Sequence, residues 1–312
     1  MTALVGIDRI TAAGRAIAPM IIRTPLLPAD WAGRLWLKPE NLQPVGAFKI
    51  RGAANAVAAL PPGTAGVVTH SSGNHGRALG HVAARAQIPC VVVVPDTAPR
   101  AKVTAMRATG AELVIVPGDQ RESTAARLAA ERGLIVVPPY DHPDVIAGQG
   151  TIGVEIVEDM SDVDTVVVPI GGGGLAAGVG AAVKALAPRI RVIGVEPELA
   201  ADARDSLRAG HLVHWPIEDR YRTLADGVRV ELSELTFAHV RAHLDDIVTV
   251  SESRIRAAVG ELARHGHLVV EPSGALTTAA FRRHGEGWGR TVAVISGGNL
   301  DPELLAELVT EQ

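Results

Sequence analysis

Residues 165–186, TVVVPIGGGGLAAGVGAAVKAL, read as a buried strand, a run of four glycines and a helix. The opening TVVVP is apolar almost throughout, as in a strand covered on both faces. Thr165 to Val183 carries no charge, but Pro169 and the glycines interrupt it, so it is no membrane span. Beyond the glycines the Ala-rich stretch favours a helix. A glycine loop between strand and helix exposes backbone N–H groups beside the positive end of the helix dipole, where a phosphate can sit. The same run holds G-x-G-x-x-A, and Glu196 closes the next strand, RVIGVE, so a nicotinamide dinucleotide site is a rival reading of this segment.

Outward from this unit the same alternation recurs. GVVTH (66–70), CVVVVP (90–95), ELVIVP (112–117), LIVVPP (134–139), DIVTV (246–250), LVVEP (268–272) and TVAVIS (291–296) read as further strands. Between them NHGRALGHVAARAQ, APRAKVTAMRATG and RESTAARLAAERG have helical length and closing Gly or Pro. Alternating β and α elements imply an α/β protein with mostly parallel, twisted sheets flanked by helices. There are too many strands for one small sheet, and Gly/Pro punctuation falls at 61–66 and 138–143. The expectation is two lobes, a large one of residues 1–65 and 142–312 and a small one of 66–141 inserted into it. The ligand crevice then lies between them at the carboxyl ends of strands.

Composition narrows the function. With 312 residues, 47% of them apolar, and a net charge of −4, the chain can bury a large core and presents no basic stripe for nucleic acid. The lone cysteine, Cys90, lies in IPCVVVVP and reads as a buried thiol, and Asp8 and Arg9 interrupt the N-terminal segment where a signal peptide needs an apolar run. The expectation is a cytoplasmic protein without a membrane anchor.

Three further segments complete the pocket. GAFKIRGA (46–53) carries a single amine, Lys49, on a helix expected to begin near Gly46, with Gly52, Ala53 and Ala56 leaving space for a ring. Partial desolvation favours its neutral form, which attacks aldehydes. In HSSGNHG (70–76), Ser71 or Ser72 is expected to cap a helix starting near Asn74, whose first-turn N–H groups suit a substrate carboxylate, with Asn74 and His75 as polar pocket groups. SGGN (296–299) adds glycine-rich backbone. An amine beside a phosphate cradle favours a Schiff-base enzyme over the nicotinamide reading, which leaves Lys49 and HSSGNHG unexplained. His239 and His243, one helical turn apart, lack a third metal ligand and read as a solvated helix face.

In order and spacing, RTPLL, LKPENLQPVGAFKIRGA, THSSGNHGRAL, VIAGQGTIGVEI, VPIGGGGLAAG, GVEPELAAD, ADGV, VEPSGA and ISGGN resemble the fold-type II pyridoxal-phosphate enzymes, within them the serine/threonine dehydratases and serine racemases. The resemblance implies a tryptophan-synthase-β-like fold and a homodimer. It implies that Lys49 binds pyridoxal 5'-phosphate as a Schiff base, Phe48 packs on the ring, Asn74 bonds its 3′-oxygen, Gly171, Gly172, Gly173 and Gly174 hold its phosphate, and Ser296 faces the pyridine nitrogen. Ser71, Ser72, Asn74, His75 and Arg121 would contact a small amino-acid substrate.

The implied reaction is α,β-elimination of L-serine, L-threonine or a related β-hydroxy amino acid such as 3-hydroxyaspartate to a 2-oxo acid and ammonia. The alternative is racemisation, with Lys49 and Ser72 as opposed acid/bases. Glu196, the Ala200 carbonyl and Asp202 resemble the family's divalent-cation site, whose hard oxygens suit Mg²⁺ or Ca²⁺. Two departures stand out: Ala47 replaces a frequent serine, and Pro44 stands where nucleotide-activated animal racemases carry a lysine.

Overall fold

In the computed structural model, which describes residues 3–310, ten strands form two sheets. The strands are β1 Leu27–Pro28, β2 Leu35–Pro39, β3 Val67–His70, β4 Cys90–Pro95, β5 Glu112–Val116, β6 Ile135–Val136, β7 Thr165–Pro169, β8 Arg191–Pro197, β9 Asp246–Val250 and β10 Thr291–Ile295. The six-stranded sheet runs β1-β2-β10-β7-β8-β9 and the four-stranded sheet β5-β4-β3-β6. β1 and β2 are antiparallel, and every other pair is parallel. The smaller sheet uses only strands between 67 and 136, and on that basis we propose the two-lobe division.

The apolar runs are continuous because both faces of each sheet are covered. In β7, Val166 and Val168 enter a core with Leu175, Val179 and Val183 of the helix Gly174–Leu186. Val167 points the other way, into a core with Ala275, Leu276 and Ala279 of the helix Pro272–His284. The smaller sheet repeats this: Val92 and Val94 face one core, Val91 and Val93 the other. Each such side chain contributes roughly 1.5–3 kcal/mol of burial.

Three expectations need correction. LVVEP is not a strand: Val269 is exposed, its carbonyl accepts from Asn41 Nδ2, and Glu271 N bonds Gly297 O, so this extended segment is held outside the ladder. The run at 134–139 pairs only over Ile135–Val136 before Pro138 ends it. The small residues of the Lys49 helix serve packing rather than a ring. A Cβ at Gly52 would lie 2.4 Å from Gln149 Nε2, and Ala53 and Ala56 are buried in a core with Val145.

Gln149 and Val145 belong to the helix Pro143–Asp159, which also anchors a buried ion network. Arg51 donates to Glu40 (Nε, 2.7 Å; Nη2, 2.8 Å) and Glu155 (Nη1, 2.6 Å; Nη2, 2.9 Å), and Lys38 Nζ lies 2.7 Å from Glu155. Burial pushes the Glu155 carboxyl up, but the bonds and charges of Arg51 and Lys38 outweigh it and hold the group below its ordinary value. The network pins the first turn of the helix that carries Lys49.

Candidate active site

The cleft between the sheets is lined by residues from all four motifs, among them Phe48, Lys49, Ser71, Ser72, Asn74, His75, Arg121, the four glycines and Ser296. His70, Gly171 and Ser296 sit at or just past the carboxyl ends of β3, β7 and β10. This is where open parallel sheets bind ligands, because the following loops and helix N-termini converge there.

Lys49 is the first residue of its helix, Lys49–Ala58, three residues later than the expected start. Its Nζ donates to Pro139 O at 2.6 Å and lies over the Phe48 ring. The chain has four lysines, and the other three are ion-paired: Lys38 with Glu155, Lys102 with Asp226 and Lys184 with Asp245. Lys49 has no carboxylate partner among the described residues, and desolvation pushes its ammonium down to about 8. A neutral, nucleophilic amine is therefore accessible near neutral pH.

The helix after β3 runs Asn74–Arg85 with Gly73 at its cap position. Neither serine caps it. Ser71 Oγ instead accepts from Gly73 N at 3.2 Å, outside the helix, while Ser72 is exposed to the cleft. Asn74 is clamped: its Nδ2 donates to Glu271 Oε1 (2.7 Å) and its Oδ1 accepts from Asn299 Nδ2 (2.9 Å), whose own Oδ1 accepts from Arg77. Glu271, only 3% exposed, has an Oε2 without a partner, and burial with the nearby Asp226 charge pushes it up to about 7. Its place in the site was not legible beforehand, since VEPSGA gave no hint that its carboxyl reaches Asn74. His75 is buried, with Nε2 2.9 Å from Val137 O and Nδ1 unpartnered, and desolvation together with Lys49 pushes it down to about 3, so the ring is neutral. Arg121 Nε donates to Gly118 O at 2.8 Å.

The tetraglycine is packed too closely by neighbouring segments to admit side chains. Gly173 has φ +82°, and a Cβ there would lie 2.5 Å from Leu232 Cδ2 and 2.9 Å from Thr236 Cβ. A Cβ at Gly171 would fall 2.7 Å from Val228 Cα. No side chain caps the following helix, so its first N–H groups remain available to an anion. Ser296 is buried, and its carbonyl accepts from Phe48 N at 3.0 Å, which ties the serine loop to the lysine segment.

The remaining candidates lie elsewhere. Glu196 Oε1 and Oε2 accept from Ala203 N (2.9 Å) and Arg204 N (2.8 Å), so this carboxylate caps the helix Asp202–Ala209 instead of facing a ribose, contrary to the nicotinamide reading. His239 is not on a solvated face: it is fully buried, and its Nε2 accepts from Val5 N at 3.1 Å. Among the described residues no group of three or more His, Cys, Asp or Glu is arranged to hold a metal.

An unpaired amine of lowered pKa facing a glycine cradle, in the crevice of a two-sheet α/β fold, defines an enzyme that works through an aldehyde cofactor with a phosphate. The chain belongs to the family of pyridoxal-phosphate dependent enzymes, whose profile matches residues 17–297. It is 42% identical over 305 residues to a beta-hydroxyaspartate dehydratase of Paracoccus denitrificans, covering 94% of this chain and 96% of that protein. It is 38% identical over 319 residues to an L-threonine ammonia-lyase of Thermotoga maritima, covering 99% and 79%. The solved structure of maize serine racemase superposes with a TM-score of 0.93 at 36% identity, covering 98% of this chain and 97% of that one.

Proposed function

We propose that this chain is an ammonia-lyase for small β-hydroxy amino acids, with racemisation as a second activity of the same site. The observation that carries the reading is the juxtaposition of Lys49, unpaired and easily deprotonated, with the Gly171–Gly174 cradle and Ser72 in one cleft. The residues fit the cofactor: Lys49 meets its aldehyde, the glycine N–H groups its phosphate, Phe48 and Ser296 its ring, and Asn74 its ring oxygen. Pyridoxal phosphate, when bound, supplies an electron-withdrawing ring that makes the α-proton of an attached amino acid removable.

The chain's own residues do the rest. First-turn N–H groups of the helix Asn74–Arg85, with Ser71 and Arg121, hold substrate carboxylate, and neutral His75, its Nε2–H given to Val137 O, backs the pocket without competing for the proton. Freed when the substrate amine takes its place, the Lys49 amine takes the α-proton; the β-hydroxyl leaves with a proton as water, and a second water hydrolyses the remaining enamine, by way of its imine, to ammonia and a 2-oxo acid. Ser296 offers the pyridine nitrogen a hydroxyl, which cannot keep that nitrogen protonated as a carboxylate would, and elimination gains from the lower charge drain into the ring. Ser72 is the observation that favours the racemase reading, because inversion needs a second proton donor in the cleft. Serine, threonine and 3-hydroxyaspartate are the substrates to assay, by 2-oxo acid release and chiral product analysis. Absence of 2-oxo acid from all three refutes the lyase reading. Racemisation undiminished in Ser72→Ala refutes the role given to Ser72.

Glu196 and Asp202 are buried carboxylates without an ion pair among the described residues, and with the Ala200 carbonyl they offer the hard oxygens of a Mg²⁺ or Ca²⁺ site. We assign the cation there. Among the described residues no helix is long and apolar enough to cross a membrane, and the buried free thiol of Cys90 supports a cytoplasmic location. Leu42 and Val269 are exposed on segments joined by the Asn41–Val269 hydrogen bond, an apolar surface that a second copy covers in the homodimer we propose.

A further inference from the structure

The chain between β6 and the helix Pro143–Asp159 touches both the amine and the cradle. Pro139 O accepts from Lys49 Nζ, and the next residue, Tyr140, lies against the tetraglycine. A Cβ at Gly172 would fall 2.4 Å from Tyr140 Cδ1 and 2.5 Å from Cε1 and Cγ, and one at Gly174 would fall 2.9 Å from Tyr140 Cβ. Gly172 does not have a left-handed backbone, so the aromatic ring is what excludes a side chain there. Both neighbours anchor this stretch: His142 N bonds Tyr140 O at 2.9 Å, and Asp141 Oδ1 accepts from Ser233 Oγ at 2.6 Å. Tyr140 also lines the cleft.

A run of four glycines is the most freely rotating backbone a chain can offer, and gripping an anion with it costs the entropy of ordering it. Tyr140, with its ring against Gly172 and its Cβ and backbone against Gly174, removes much of that freedom before the ligand arrives. Resting on the pyridoxal-phosphate reading above, we propose that Tyr140 is a positioning residue whose ring presses the Gly171–Gly174 loop into the shape that grips the cofactor's phosphate.

The test is a titration of cofactor-stripped protein, followed by absorbance, with pyridoxal phosphate and separately with pyridoxal, which lacks the phosphate. Tyr140→Ala is expected to raise the dissociation constant for pyridoxal phosphate about tenfold and that for pyridoxal less than about twofold, while Tyr140→Phe stays near wild type for both. Gly172→Ala, which forces the same two surfaces apart from the loop side, is expected to show the same phosphate-selective loss. This second variant keeps the test open if Tyr140→Ala melts early. Unchanged pyridoxal phosphate affinity in Tyr140→Ala, an equal loss for both aldehydes, or an equal loss in Tyr140→Phe overturns the assignment. A wild-type protein that binds neither aldehyde refutes the cofactor reading itself, which separates the two failures.

Discussion

The lowered pKa of Lys49 makes a prediction that needs no cofactor. An amine titrating at about 8 instead of its ordinary 10.5 is roughly 20% neutral at pH 7.4 against roughly 0.1%, an advantage of about 250-fold in the form that attacks aldehydes. Stripped protein treated briefly with formaldehyde and cyanoborohydride should therefore be methylated at Lys49 well ahead of Lys102 and Lys184, which are ion-paired with Asp226 and Asp245. Peptide mass spectrometry across pH 6 to 10 gives the rate at each lysine. The Lys49 rate should rise with pH and level off above about 8, as the neutral fraction saturates. A Lys49 rate still climbing tenfold per unit at about pH 10 would mean an ordinary surface amine, and the argument from desolvation would fail.

Three more perturbations address the scaffold around that amine. Gly173→Ala places a side chain at φ +82° against Leu232 and Thr236, and a loss of about 1–3 kcal/mol in urea unfolding, with weaker cofactor binding, is expected. Arg51→Met strands Glu40 without its cation in the core and leaves Glu155 only Lys38; about 3–5 kcal/mol should be lost, and a loss below about 1 kcal/mol would contradict the network's role. Burial, aided by Glu231 and Asp205 against the pull of Arg220, pushes Asp202 up to about 7 from 3.8. Between those values the folded chain holds a proton that the unfolded chain has released, so this group's contribution to stability is lost as pH rises through the window. After EDTA, melting temperature should fall from about pH 5 to about 7.5, more steeply than in Asp202→Asn, and saturating Mg²⁺ should flatten the slope; an unchanged slope with Mg²⁺ and Ca²⁺ would remove the cation site.

The strands of both sheets were legible wherever an unbroken Val/Ile run ended in Gly or Pro, because a doubly covered strand leaves that mark. The antiparallel pair β1 and β2 was not. β2 contains Trp36 and Lys38, and only the folded chain reveals that Lys38 is buried against Glu155. The run at 268–272 has strand composition but no ladder to join. Motif chemistry found the amine, the serine loop and the cradle, since those depend on residue type and local backbone. It could not find Glu271, Tyr140 or the Lys102–Asp226 pair, which enter the cleft through contacts between distant segments. Gly52, Ala53 and Ala56 were misassigned for a related reason: a small residue vacates space equally for a ligand or for a neighbouring helix.

Residues 49, 72, 171–174 and 296 reach their common cleft only when both sheets and the connections between them have closed. A nascent or half-unfolded chain holds each fragment without the others, so amine and glycine loop cannot grip one ligand together. Occupancy by the yellow cofactor is thereby a report on completed folding. Whatever raises vitamin supply in the cell draws the whole polypeptide toward its finished state by mass action.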